Sequence, residues 1–141
     1  MRQTAIRQPK LKKSGVAISI RPELVVRAKR YGMAESAGAI KLYFSKSNPL
    51  NGDAANYVGA TIHEFLQTFL DPQGTAKPRD CLLIDVFAES IFVAPRATKK
   101  RQKELADACH EIAAVWDSIQ EPNARREYRT RKSKENAVKA L

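Results

Sequence analysis

The sequence predicts an α+β fold: a small mixed sheet with about three helices packed on it, and basic extended arms at both ends. Three observations carry that expectation. Short runs rich in β-branched and aromatic residues alternate with two long stretches of 3.6-residue apolar period, the order expected where helices cover a sheet. The 141 residues suit one domain, and an apolar share of 43% is ordinary for a chain with a core. Lysine and arginine, 25 against 15 acids, concentrate toward both ends.

Residues 1–14 carry Arg2, Arg7, Lys10, Lys12 and Lys13 with no acid and no apolar period, so they read as a mobile basic arm. A single α+β domain is expected over 15–120. Its first strand is 16–20, where apolar and small residues alternate. Pro22 suits a first helical position because its missing N–H would be unpaired there anyway. Leu24, Val25, Ala28 and Tyr31 then give one apolar face of a short helix, which Gly32 is placed to end. Residues 40–46 read as a strand through Ile40, Leu42 and Phe44, in preference to a helix from Glu35 that Gly38 would weaken.

Asp53 is the expected N-cap of a helix reaching Leu70, with Val58, Ile62, Phe65, Leu66 and Phe69 as its stripe and Asp71-Pro72 as its stop. Residues 81–87 and 91–94 are β-rich and predict a hairpin turning at Ala88-Glu89-Ser90. The last helix spans about 98–119. Leu105, Ala108, Cys109, Ile112, Val115, Trp116 and Ile119 form its inner stripe. Residues 121–141 open on Glu121-Pro122-Asn123 and continue as a basic tail with Arg125, Arg126, Arg129, Arg131 and Lys132.

Residues 16–46 loosely resemble the ribbon-helix-helix DNA-binding fold. The likeness rests on the strand at 16–20, the Arg21-Pro22-Glu23-Leu24 helix entry and Gly32 before a second helix. It implies base contacts from the outward strand positions Ala17 and Ser19, whose side chains have little hydrogen-bonding capacity for a base edge. The strand at 40–46 also conflicts with the second helix.

Several function classes find little support. No apolar run approaches the roughly 18 residues of a membrane span, and the bases near Met1 are not followed by the apolar core of a secretory signal. Cys81 and Cys109 belong to no metal or redox spacing and read as buried thiols, which fits a cytoplasmic location. His63-Glu64 and His110-Glu111 lie outside any HExxH motif and read as surface pairs. Asp85 reads as an edge or solvent-facing group that, with Glu89, is a weak cation candidate. There is no Gly-rich phosphate loop, no GxSxG and no paired-carboxylate spacing, so no cofactor is expected.

The sharpest anomaly is the start of the last helix. Arg96, Lys99, Lys100, Arg101 and Lys103 precede or occupy its first turns, and no acid appears until Glu104. Cations there oppose the positive end of the helix dipole, whereas the free N–H groups of a helix start favour an anion. With the two basic ends, this cluster suits a phosphate backbone. The expectation is a non-enzymatic protein that binds DNA or RNA through phosphates without strong sequence readout. The alternative is an adaptor or subunit whose basic ends order on an acidic partner protein. No membrane role is expected, and a homo-oligomer is compatible with either reading.

Overall fold

A computed structural model describes residues 9–29, 31–71, 73–116, 118–119, 131–132 and 134–140. It has the α+β architecture. Strands β1 (Leu11–Lys13) and β2 (Val16–Ile18) form an antiparallel hairpin. Strands β3 (Leu24–Ala28), β4 (Ser36–Tyr43), β5 (Cys81–Asp85) and β6 (Ser90–Val93) form the main sheet in that order. The sheet is mixed: β4 and β5 run parallel, and the two outer pairs are antiparallel. Helix α1 (Gly52–Phe65) makes the crossover between the parallel strands, and helix α2 (Thr98–Trp116) follows β6.

The β1–β2 hairpin draws the end of the expected arm into the fold. Its two-residue loop is Ser14-Gly15, both at positive φ (48° and 80°), the twist that matches a tight hairpin. Leu11 is buried in the core, and Ile18 packs against the same cluster. The remainder of the expected arm, residues 1–8, lies outside the described residues.

The helix expected from Pro22 does not form; Leu24–Ala28 is a strand paired with Ser36–Ile40. Adjacent Val25 and Val26 are β-branched and favour the pleated surface, and β4 offers a complete antiparallel partner. Gly32, at φ +74°, serves the connection between these strands rather than a helix end. Without that helix, the likeness to the ribbon-helix-helix fold fails.

The strand expected at 40–46 exists, shifted to Ser36–Tyr43. In α1 the N-cap is Asn51, whose side chain accepts from the Ala54 N–H at 2.8 Å; Asp53 lies inside the first turn, where its charge complements the dipole. The helix continues into a π-helical turn, Leu66–Leu70, closed by the Asp71 N–H on the Leu66 carbonyl at 2.7 Å. The expected stripe is the real one. Ile62, Phe65 and Leu66 are buried against Ala37, Ala39, Cys81 and Ala94, with Val58 and Phe69 alongside. Gly59 is needed where α1 meets the end of β6, because a Cβ there would sit 2.9 Å from the Ala94 Cα.

Helix α1 is buried nearly all round. The sheet packs on one side of it and α2 on another, and the β1–β2 hairpin packs against α2. The expected inner stripe of α2 is only half inside. Cys109 is buried and Leu105 half-buried, whereas Ala108, Ile112, Val115, Trp116 and Ile119 are exposed. The period is right, but burial ends at Cys109, so the last two turns of α2 run on beyond the elements that cover its start.

Candidate nucleic-acid interface

The basic cluster is anchored at its base. Thr98, the first residue of α2, is buried, and the Gln102 side chain donates to the Ala60 carbonyl at 3.1 Å. From this fixed start Arg96, Lys99, Lys100 and Lys103 point into solvent. Arg96, Lys99 and Lys103 make no ion pair among the described residues, and Lys100 reaches Glu104 only at 4.0 Å. No acid lies in the first turn. The result is a rigidly mounted group of cations beside the unpaired N–H groups of a helix start.

Arg101 behaves differently. Its guanidinium lies over the Tyr57 ring, 4.9 Å from the centroid, and donates to the Tyr57 hydroxyl at 3.2 Å. Tyr57 in turn donates to Glu104 at 2.9 Å, and Arg101 lies 3.4 Å from the same carboxylate and 4.0 Å from Asp53. This cation joins α2 to α1. Lys13 is similarly engaged, with its ammonium 2.8 Å from Glu64 and mostly buried.

Lys10 and Lys12 are exposed at the hairpin, which packs against α2, so the fold brings arm and helix cations onto adjoining elements. Arg131 and Lys132 are exposed on a helical stretch at 131–132. Arg2 and Arg7 in the arm, and Arg125, Arg126 and Arg129 in the tail, lie outside the described residues.

The other chemistry-bearing residues have structural roles. Asp85 is fully buried on an inner strand, not on an edge or solvent-facing side. Its two carboxylate oxygens accept from the Leu50 N–H at 2.9 Å and the Ala88 N–H at 3.1 Å, tying the β5–β6 turn to the entry of α1. His63 is buried as well, against expectation, and its Nε2 lies 2.8 Å from the Ala76 carbonyl. Asp71, buried beside it, accepts from the Thr75 hydroxyl at 2.7 Å and from the Ala76 N–H, which fixes the loop after α1. Glu64 binds Lys13, and only His110 is exposed as expected. Among the described residues no three His, Cys, Asp or Glu side chains converge to hold a metal ion. Both cysteines are free and buried, and burial, with Asp80 adding, pushes the Cys81 thiol up to about 12.

Sequence reasoning missed one feature of the site, the hairpin that carries Lys12. Ser14-Gly15 between two apolar-containing runs was the signal available.

No protein-family model matches the chain, and no curated protein or solved structure is measurably similar to it. Among the described residues no helix is long and apolar enough to cross a membrane.

Proposed function

We propose that the protein binds nucleic acid through the phosphate backbone, without chemistry and without strong sequence readout. The supporting observation is the set Arg96, Lys99, Lys100 and Lys103: exposed, barely paired, and mounted on a helix start that buried Thr98 and Gln102 hold in place. Cations that oppose the helix dipole cost about 0.3–1 kcal/mol each, a cost that a bound polyanion offsets. Lys10 and Lys12 extend the surface, and Arg2, Arg7, Arg125, Arg126, Arg129, Arg131 and Lys132 add sequence-independent contacts from the ends. Arg101 and Lys13, held by Tyr57 and Glu64, stay out of the contact set.

The experiment is a salt-titrated binding series with duplex and single-stranded DNA and RNA. Affinity should fall linearly on a log–log plot, with a slope of about −0.9 per duplex phosphate contact. Replacing Lys99, Lys100 and Lys103 by Gln should reduce that slope by about 2–3. A slope unchanged by these replacements assigns binding to the ends alone.

An adaptor role in a protein complex is the second reading. The apolar end of α2 favours it, since Ile112, Val115 and Trp116 share one exposed helix face. Absence of binding to every nucleic acid at low salt leaves this reading in place of the first.

A further inference from the structure

The main sheet has one face under α1 and one face bare. Register assigns the bare face without ambiguity, because directly paired residues point the same way. Leu24 pairs with Ile40, Ile40 with Leu82, and Leu82 with Val93; Leu42 pairs with Ile84, and Ile84 with Ile91. Val26 pairs with Gly38, and Ala28 with Ser36. These eleven positions hold eight large aliphatic side chains, one Ala, one Gly and one Ser, in a chain of which 28% is charged.

On the opposite face Ala37, Ala39, Cys81 and Leu83 are buried. On the bare face Leu24, Val26, Ile91 and Val93 are 46–67% exposed, and Ile40, Leu42, Leu82 and Ile84 are half-buried. A sheet with one face in water normally alternates apolar with polar residues. This one does not.

We infer that the bare face is the interface of a homodimer, two copies packing sheet on sheet about a two-fold axis. Size and shape select the occupant. Four strands at about 4.8 Å spacing present a surface wider than a helix of about 10 Å diameter covers, whereas a second copy of the same sheet covers it fully. The exposed parts of the eight aliphatic side chains amount to roughly 500 Å² per copy. Two such faces together bury about 1,000 Å², the floor for a biological interface and below the standard size of about 1,200–2,000 Å². The face is aliphatic except at one end, where Lys77, Arg79 and Asp80 adjoin Val26, Gly38 and Leu82. A patch of this kind, with both signs of charge at its rim, is complementary to itself, as an isologous contact requires.

The charge distribution permits the contact. α2 and the hairpin, with their cations, lie across α1 from this face, so the copies meet away from those basic surfaces. The inference is independent of the proposed ligand. The two basic surfaces then lie on the outer sides of the dimer.

Sedimentation equilibrium of the full chain, over about 1–100 µM in about 0.3 M salt to screen the net charge of +10, tests it. The expected species at the top of the range has twice the 15.8 kDa chain mass. Ile91→Glu and Val26→Glu, made singly, should each weaken dimerisation on the order of a hundredfold by placing a charge in the buried contact. Both substitutions lower the net charge, so reduced repulsion cannot produce the loss. Ile112→Glu, on the exposed end of α2, should leave the dimer unchanged. Circular dichroism confirms that each variant is folded, and two separate positions guard against the failure of one. A wild-type monomer at 100 µM overturns the inference and leaves the face to a different partner. A dimer lost only in Ile112→Glu also overturns it and moves the interface to α2.

Discussion

Asp85 lies between apolar neighbours in sequence, and there it reads as an edge or solvent-facing group. Its surroundings decide otherwise: two backbone N–H groups from segments 35 and 3 residues away saturate it. Asp85→Ala leaves both donors without partners in a buried site and should cost about 2–4 kcal/mol in urea unfolding, while the salt slope of binding in the folded variant stays unchanged. Arg101 supplies the contrast within the basic cluster. Arg101→Gln removes the Tyr57 stacking and should lower the unfolding midpoint, yet leave the slope of binding against salt intact, unlike the neighbouring lysines. Cys81 carries a pH prediction. Its thiol stays protonated to about 12 in the folded chain, whereas the unfolded thiol ionises near 9.0. The native state therefore holds more protons above pH 9, and stability should fall between about pH 9 and 12. A Cys81→Ala variant should lose that part of the decline. None of these roles was legible in sequence, because each depends on partners brought in by tertiary structure.

Elements with long, regular periods were legible, as was the β5–β6 hairpin, whereas β1 and β3 were not. The stripe of α1 recurs as the buried stripe, since Ile62, Phe65 and Leu66 have one sheet to face. β3 was misread because five residues with two valines satisfy a short helical face as easily as a strand. Only the presence of β4 as a partner separates the two. For α2 the period was correct and the environment was not: periodicity says which residues share a face, but not how far the neighbouring element extends beneath them. The α1–β6 contact offers a test of packing at this scale. Gly59→Ala gains up to about 1 kcal/mol in helix propensity, but drives a methyl group against the Ala94 backbone. Overpacking of this kind costs about 1–3 kcal/mol, so the variant should be less stable in urea.

At the scale of the molecule, the surplus of positive charge resolves into a basic surface on one side of α1 and a largely aliphatic sheet face on the other. The charge run of Arg96, Lys99, Lys100 and Lys103 was legible because it lies along a helix start, whereas the engagement of Arg101 by Tyr57 and Glu104 depends on α1 and was not. The sheet face was not legible either, since it appears only when two strand pairs from separate parts of the chain come into register. The α+β class followed from the order of runs and needed no such detail. Phosphate binding at the start of α2 is tested most directly by the salt slope of DNA and RNA binding for the wild type beside Lys99→Gln/Lys100→Gln/Lys103→Gln. Binding should weaken steeply with salt, with a slope shallower by about 2–3 in the triple variant. Failure of the wild type to bind any nucleic acid at low salt would contradict phosphate binding there.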